Sequence, residues 1–302
     1  MTKSNNNKKI VFVKDWGAYL RVKNGLITCY LNKEEKWSVS PFEISSIVVL
    51  TNCLVSSEVI RLAGEFGIDL VFFKGIKPVS KIIPVNYGGS FNVWVHQLIA
   101  WKKRKVEFAK QFIYGKLHNQ WITLRYYERK YGISLSSENI YQLSRDVLTE
   151  SSIEGVMQKE AEGARWYWKG IKNLLPKELK FKGRRKRGEA KDLFNVSLNI
   201  GYSMLSRVVY SAIISAGLNP YWGFLHKMRS GRPSLVFDLM EEFRSPFVDR
   251  KLLGIAREDP KSLEDKKTVY GIKFEEEEIY TQARKLANAV LTGEEYKPFL
   301  SK

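Results

Sequence analysis

The chain has 302 residues, enough for two domains that each bury a core, and at 44% hydrophobic and 27% charged it is globular, not fibrous or disordered. Fifty Lys and Arg stand against 32 Asp and Glu, a net charge of +18 that favours a polyanionic partner. No apolar run approaches the roughly 20 residues that a membrane helix needs. The first residues, Met1 to Lys9, are polar and Asn-rich and lack the apolar core of a signal peptide. Cys29 and Cys53 are the only cysteines, and both fall in strand-like segments. Two buried free thiols fit a reducing interior, so a cytoplasmic location is expected.

The first 90 residues read as β. Val11 to Val13 is a short apolar run, and Tyr19 to Lys23 and Leu26 to Leu31 flank Asn24-Gly25, which supplies positive φ for a tight hairpin. Trp37 to Val39 and Ile47 to Leu50 follow as further strands. Ser56-Ser57-Glu58 opens a short helix that closes near Gly67, and Leu70 to Phe73 and Val79 to Val85 complete the set. About six short strands separated by turns predict a small β-sandwich-like domain over residues 1–88. A turn-rich linker, Asn86 to Ser90, follows. Residues 89–302 are then almost wholly helical in pattern, so the expected fold class is α+β with a larger all-α-helical C-terminal domain. Trp94, Leu98, Trp101, Val106, Phe108 and Phe112 recur along this stretch, the first three and the last two at three- and four-residue steps, the period of a helix face. Later helices are expected over Ile140 to Leu148, Ile153 to Leu174, Leu193 to Ala216 and Tyr280 to Leu291. Ser151-Ser152-Ile153-Glu154 and Asn219-Pro220 read as helix starts. Lys180 to Gly188 breaks the pattern and reads as a mobile loop, and Glu275 to Glu278 as an exposed helix start.

The placement of charge says more than its size. Residues 100–130 carry nine basic and two acidic side chains, and residues 177–191 carry eight and two. Lys102, Lys103, Arg104 and Lys105 lie in the first stretch, among Trp94, Trp101, Phe108, Phe112, Tyr114 and Trp121. Arg184, Arg185, Lys186 and Arg187 lie in the second. Basic runs interleaved with aromatic residues point to nucleic acid, and a solvated surface is the plainer reading of each run.

Of the three histidines, His96 and His118 sit within the aromatic-basic helix and read as ordinary packed or surface side chains. His226 differs. It closes Gly223-Phe224-Leu225-His226, is followed by the basic Lys227, Arg229 and Arg232, and lies 12 residues before Asp238. In a helix, Asp238, Glu241 and Glu242 share a side at i, i+3 and i+4. Acidic residues among apolar ones are costly to bury unless paired or bound to a cation. An imidazole with one or two carboxylates suits Mg²⁺ or Mn²⁺. Salt bridges to Arg244 or Arg250 would account for the same acids without a metal. A further carboxylate is available in Met157 to Trp168, where Glu160, Ala164 and Tyr167 share a helix face.

The pattern Glu160-x-x-x-Ala164-Arg165-x-Tyr167-Trp168 resembles the first acidic motif of the CRISPR-associated spacer-integration endonucleases. Three more segments resemble that family in the same order: Gly115-Lys116-Leu117-His118-Asn119-Gln120; Asp192-x-x-Asn195-x-x-x-Asn199-x-x-Tyr202; and Gly223 to His226 with Phe237 to Arg244. The family's first motif usually carries Glu-Gly, whereas here the Glu-Gly pairs are Glu154-Gly155 and Glu162-Gly163. The distance to Tyr167-Trp168 selects Glu160. The resemblance implies a metal site of Glu160, His226 and Glu241, with Asp238 beside it to bind or orient, and a Mg²⁺ or Mn²⁺ cofactor. It implies DNA cleavage and strand transfer that insert short fragments into a repeat array. It also implies double-stranded and partly single-stranded DNA as substrate, a homodimer formed through the N-terminal domain, and a second small CRISPR-associated adaptation protein as partner. A stand-alone nuclease, or a basic DNA-binding scaffold without chemistry, are the competing expectations.

Overall fold

The structure, a computed structural model, describes residues 9–75, 77–83, 88–186 and 188–302. Contacts divide it into two compact units, Met1–Asn92 and Val93–Lys302.

The first unit is built from eight strands among the described residues: β1 (Lys9–Val13), β2 (Ala18–Lys23), β3 (Leu26–Leu31), β4 (Glu34–Val39), β5 (Ile44–Val49), β6 (Cys53–Val55), β7 (Asp69–Lys74) and β8 (Lys77–Ile82), with α1 (Ser57–Glu65) between β6 and β7. They form two four-stranded sheets, in the orders β1-β5-β7-β8 and β4-β3-β2-β6. The Asn24-Gly25 turn forms as expected, both residues at positive φ (52° and 74°), and joins β2 to β3 in antiparallel register. A second turn of this kind at Asn32-Lys33 (φ 52° and 69°) starts β4 earlier than its apolar residues suggest. Ala18 and Leu20 alternate inward along β2 while Tyr19 and Arg21 face out. Central β5 is buried at almost every position because it runs parallel between β1 and β7. Leu20 and Ile27 from one sheet, Ile44, Ile47 and Leu70 from the other, and Val59 of α1 meet in one core. Each such burial stabilises the fold by roughly 1.5–3 kcal/mol. The three-residue β6, parallel to β2, is the strand that the sequence pattern did not reveal; it is too short to show alternation. The expected linker falls partly outside the described residues (84–87). Its Gly88 to Ser90 portion opens the next helix instead.

The second unit is helical: α2 (Gly88–Tyr131), α3 (Ser137–Asp146), α4 (Ile153–Leu174), α5 (Leu193–Ser215), α6 (Ser234–Phe243), α7 (Arg250–Glu258), α8 (Lys266–Tyr270) and α9 (Glu276–Thr292). The expected helix face over 94–112 is corrected by a break. Arg104 leaves helical geometry (φ −130°, ψ 19°), so the buried side shifts phase there. Before the break, Val93, Gln97 and Ala100 are buried while Leu98 is exposed; after it, Phe108, Phe112 and Leu117 are buried. Ser152 caps α4 by accepting from Gly155 N at 3.0 Å, as its sequence suggests. Asn219-Pro220 does not start a helix. Gln97 grips Asn219 through its backbone N–H and C=O, and Asn219 Oδ1 accepts from Tyr221 N, which holds a turn; the helix waits for Ser234. Past α6 the chain widens into a π turn, Arg244–Asp249, where Pro246 has no N–H to continue the α ladder.

Two glycines on α4 set its register against α2. A Cβ at Gly163 would lie 2.2 Å from Leu117 Cδ2, and one at Gly170 2.8 Å from Leu124 Cδ1. Glu160 stands one turn before the first of these contacts, and Lys116 precedes Leu117, so the two meet.

Residues 294–302 follow α9 without helix or strand and are anchored across the helices. Asn119 Nδ2 donates to Phe299 O (2.9 Å) and Asn119 Oδ1 accepts from Ser301 N (2.8 Å). Glu242 accepts from Tyr296 Oη and from Phe299 N, both at 2.7 Å. Burial pushes the Glu242 carboxyl up to about 8, against the two hydrogen bonds, which favour the charged form. The group therefore binds its proton more tightly folded than unfolded. Its stabilising effect is full below the ordinary glutamate range and is lost as pH rises from there through about 8. The melting temperature is expected to fall between pH 5 and pH 8, and Glu242→Gln to flatten that fall by a few degrees, on the order of 1–3 kcal/mol. Parallel melting curves for both proteins across that range would contradict the assignment.

Candidate active site

The site is assembled from α2, α4, α6 and the loop that precedes α6. Gly223 makes the loop possible, because a Cβ there would lie 2.6 Å from Asp238 Oδ2. Asp238, fully buried, gathers the loop onto the helix. Its Oδ2 accepts from Phe224 N (2.6 Å) and Leu225 N (3.0 Å), and its Oδ1 from His226 N (2.9 Å). Oδ1 also meets His226 Nδ1 at 2.7 Å. With all its lone pairs engaged, Asp238 fixes the imidazole and leaves Nε2 as the ring nitrogen available to a ligand. Of the two roles expected for it, orienting is the one its contacts fit. Burial works against a charged His226, but the Asp238 hydrogen bond and the charges of Asp238, Glu241 and Glu160 outweigh it and raise the imidazole above its ordinary range.

Glu160 and Glu241 come together around one ammonium. Lys116 Nζ lies 2.5 Å from Glu160 Oε1 and 2.8 Å from Glu241 Oε2. Arg244 Nε takes the other Glu241 oxygen at 3.0 Å. The salt bridge to Arg244 that the sequence allowed is thus present; Arg250 instead stacks its guanidinium 4.5 Å from the Tyr126 ring centre. Neither contact of Glu241 is a well-aligned hydrogen bond: Glu241 Oε2 and Arg244 Nε are buried within ion-pair distance yet without hydrogen-bond geometry. Burial disfavours the Glu241 carboxylate, and Arg244, Lys116 and His226 overcome that and hold it well below the usual range. Glu242, expected on the same side, turns away to the C-terminal segment. Glu154 stands exposed in the first turn of α4.

The family-like segments each acquire a physical reason. Asp192 caps α5 by accepting from Asn195 N at 2.9 Å. Asn195 and Asn199 hold the Arg184 guanidinium, which lies over the Tyr202 ring. Tyr202 and Tyr167 both donate to the buried Asp249 (2.5 and 3.0 Å), and Arg244 lies 4.5 Å from the Tyr202 ring centre. Burial pushes Asp249 up to about 6 despite those two hydrogen bonds. The residue missed from sequence is Lys116 as a partner of both acids, although the Gly-Lys-x-x-Asn-Gln motif contains it.

The expected DNA-contact residues separate into two kinds. Lys102 and Lys103 are exposed and Lys105 is half-buried. Arg104 is committed to the fold: it pairs with Glu107 and donates to Ala289 O and Glu294 O. In the second run Arg185 and Lys186 are exposed, Arg184 is bound to α5, and Arg187 lies outside the described residues. Lys227 and Arg229 are exposed beside His226, and Arg232 lies over the Phe237 ring at 5.1 Å.

Among the described residues, no set of three or more His, Cys, Asp and Glu side chains is gathered as a metal cage. The donors fit a divalent cation nonetheless: two carboxylates and an imidazole nitrogen freed by its Asp partner, with a Glu241 oxygen off hydrogen-bond alignment. Also among the described residues, no helix is long and apolar enough to cross a membrane.

Residues 11–277 match the family model described as CRISPR associated protein Cas1. The chain belongs to the Cas1 family. A relative from Saccharolobus solfataricus, named CRISPR-associated endonuclease Cas1 1, is 62% identical over 299 residues, 98% of this chain and 85% of its own. The fold is shared with a casposase bound to integration product (TM-score 0.74, 20% identity, 96% of this chain and 97% of the other). It is shared also with a partial Cas6-RT-Cas1–Cas2 complex (TM-score 0.76, 18% identity, 98% and 99%). A β-sheet unit followed by a larger helical unit is therefore the architecture of this Cas1 chain, as its sequence predicts.

Proposed function

We propose that this Cas1 chain is a metal-dependent DNA endonuclease and integrase that inserts short DNA fragments into a repeat array. The observation that carries this reading is the His226–Asp238 pair set electrostatically against Glu241 and Glu160, in a chain whose 62%-identical relative is named an endonuclease. Glu160, His226 and Glu241 would hold Mg²⁺ or Mn²⁺. A cation so held supplies charge neutralisation at a scissile phosphate and lowers the pKa of bound water. The protein's own part is positioning. Asp238 fixes the tautomer and the plane of His226, while Arg244, wedged on Tyr202, fixes Glu241. Lys227 and Arg229, exposed beside His226, hold the phosphate backbone without reading sequence. Lys102, Lys103, Lys105, Arg185 and Lys186 track incoming DNA. In-line attack by a 3′-hydroxyl then needs alignment more than covalent help. A homodimer and a second small protein complete the assembly, and the fold shared with a Cas1–Cas2 complex supports the second of these.

The deciding test is a labelled duplex with a free 3′-end incubated with supercoiled plasmid, with and without the second protein, in Mn²⁺ and in EDTA. Metal-dependent transfer of label to the plasmid is expected. Hydrolysis without joining in every mixture would replace the integrase by a nuclease. Salt-sensitive binding with no reaction in any of them would leave only a scaffold.

A further inference from the structure

Two of the acids proposed as metal ligands are occupied by a side chain of the protein. Lys116 Nζ bridges Glu160 Oε1 on α4 and Glu241 Oε2 on α6, and the lysine itself is 9% exposed. The bridge follows from the fold. The Gly163–Leu117 contact fixes α4 against α2 in the register that sets residue 116 opposite residue 160. Resting on the metal-site reading above, we propose that the Lys116 ammonium is the resident counter-ion of the metal-free site, competing with a divalent cation for Glu160 and Glu241, and that loading the site releases it.

Four observations support a movable lysine over a permanent strut. Glu241 already has a second cation, Arg244, so its charge is not left bare when the ammonium departs. Arg244 cannot be the one that leaves, because its guanidinium is stacked 4.5 Å from the Tyr202 ring centre while Tyr202 is bound to Asp249. Lys116 carries its charge on a flexible four-carbon stem and can swing away without moving either helix. Its contact with Glu241 Oε2 also lacks hydrogen-bond alignment, so charge and not a directed bond holds it there, and a divalent cation competes for that same charge. The lysine thus keeps two carboxylates from repelling each other before a metal arrives.

The test uses the full chain and Mn²⁺ alone. Mn²⁺ affinity is measured by electron paramagnetic resonance for wild type and Lys116→Met, with melting temperatures in EDTA and at saturating Mn²⁺. Lys116→Met is expected to bind Mn²⁺ on the order of tenfold tighter, to melt lower than wild type in EDTA, and to gain more from Mn²⁺. In wild type, acylation of Lys116 by an amine reagent, read by mass spectrometry, is expected to be slow in EDTA and several-fold faster in Mn²⁺. This second measurement stands even if the variant does not fold. Equal or weaker Mn²⁺ binding by a folded variant, or Lys116 labelling indifferent to Mn²⁺, would overturn the proposal and leave the metal site intact. Failure of wild type to bind Mn²⁺ at all would instead remove the metal-site reading on which it rests.

Discussion

Replacing His226 by alanine is expected to abolish the proposed metal-dependent cleavage and joining, by on the order of a thousandfold or more, and to leave DNA affinity within a few fold. The size follows from what is removed: the proposed ligand nitrogen, whose loss would cost on the order of several kcal/mol of transition-state stabilisation. The selectivity follows from place. His226 is half-buried behind exposed Lys227 and Arg229, which carry the proposed backbone contacts and are untouched. Glu241→Ala is expected to be as damaging to activity, but it also leaves Lys116 and Arg244 without their shared partner in a buried setting, so its melting temperature falls as well. Glu241→Gln preserves the shape and is the cleaner companion. Glu154→Ala, on an exposed turn of α4, is the control and is expected to be nearly silent. Single-turnover rates on one duplex, with binding measured by fluorescence anisotropy, separate the outcomes. Wild-type rates in His226→Ala would sink the metal assignment, and a severe defect in Glu154→Ala would move the first ligand.

The second large effect belongs to a residue that touches no metal in this reading. Asp238 accepts from three successive backbone N–H groups and meets the His226 ring, all while fully buried. Asp238→Ala leaves those donors without an acceptor and is expected to cost about 3–5 kcal/mol of stability. Asp238→Asn keeps the volume but turns an N–H₂ toward at least one of the donors. It is expected to fold with a lower melting temperature and to weaken Mn²⁺ binding roughly 10- to 100-fold. The diagnostic is the histidine itself: in Asp238→Asn the imidazole loses its fixed tautomer, visible in its nitrogen chemical shifts. If Asp238→Asn binds Mn²⁺ as wild type does and keeps those shifts, Asp238 is merely a structural brace for the loop.

The sequence makes local devices legible and cross-chain ones not. Asn24-Gly25 forces positive φ and therefore a hairpin, and Ser152 caps α4, because each rule acts within four residues. The acids of α6 and His226 are likewise legible, since their spacing is read inside one loop and one helix. Lys116 is different. Its place depends on Leu117 seating on Gly163, a contact that no period in either segment announces. The arginines Arg104 and Arg184 read as DNA tracks because a basic run shows charge and not partners. Their carbonyl and amide acceptors lie on α9, at Glu294 and on α5. Tyr296, flanked by Glu294, Glu295 and Lys297, is 1% exposed and its hydroxyl reaches Glu242. Burial of one aromatic in a charged stretch leaves no periodicity to detect.

The glycine contacts between α2 and α4 turn sequence length into angle. Gly163 and Gly170 dock the helix, so anything inserted upstream of Gly163 rotates the preceding turns as a screw. One extra residue between Glu160 and Gly163 turns the glutamate by about 100° and lifts it by about 1.5 Å, away from Lys116 and Glu241. Four extra residues bring the angle nearly back while the height is wrong by about 6 Å. No small insertion there keeps both, whereas the same insertion beyond Gly170 leaves Glu160 where it is. For anyone recoding the gene or grafting a tag into α4, the stretch from Glu160 to Gly170 is the one to keep at its present length.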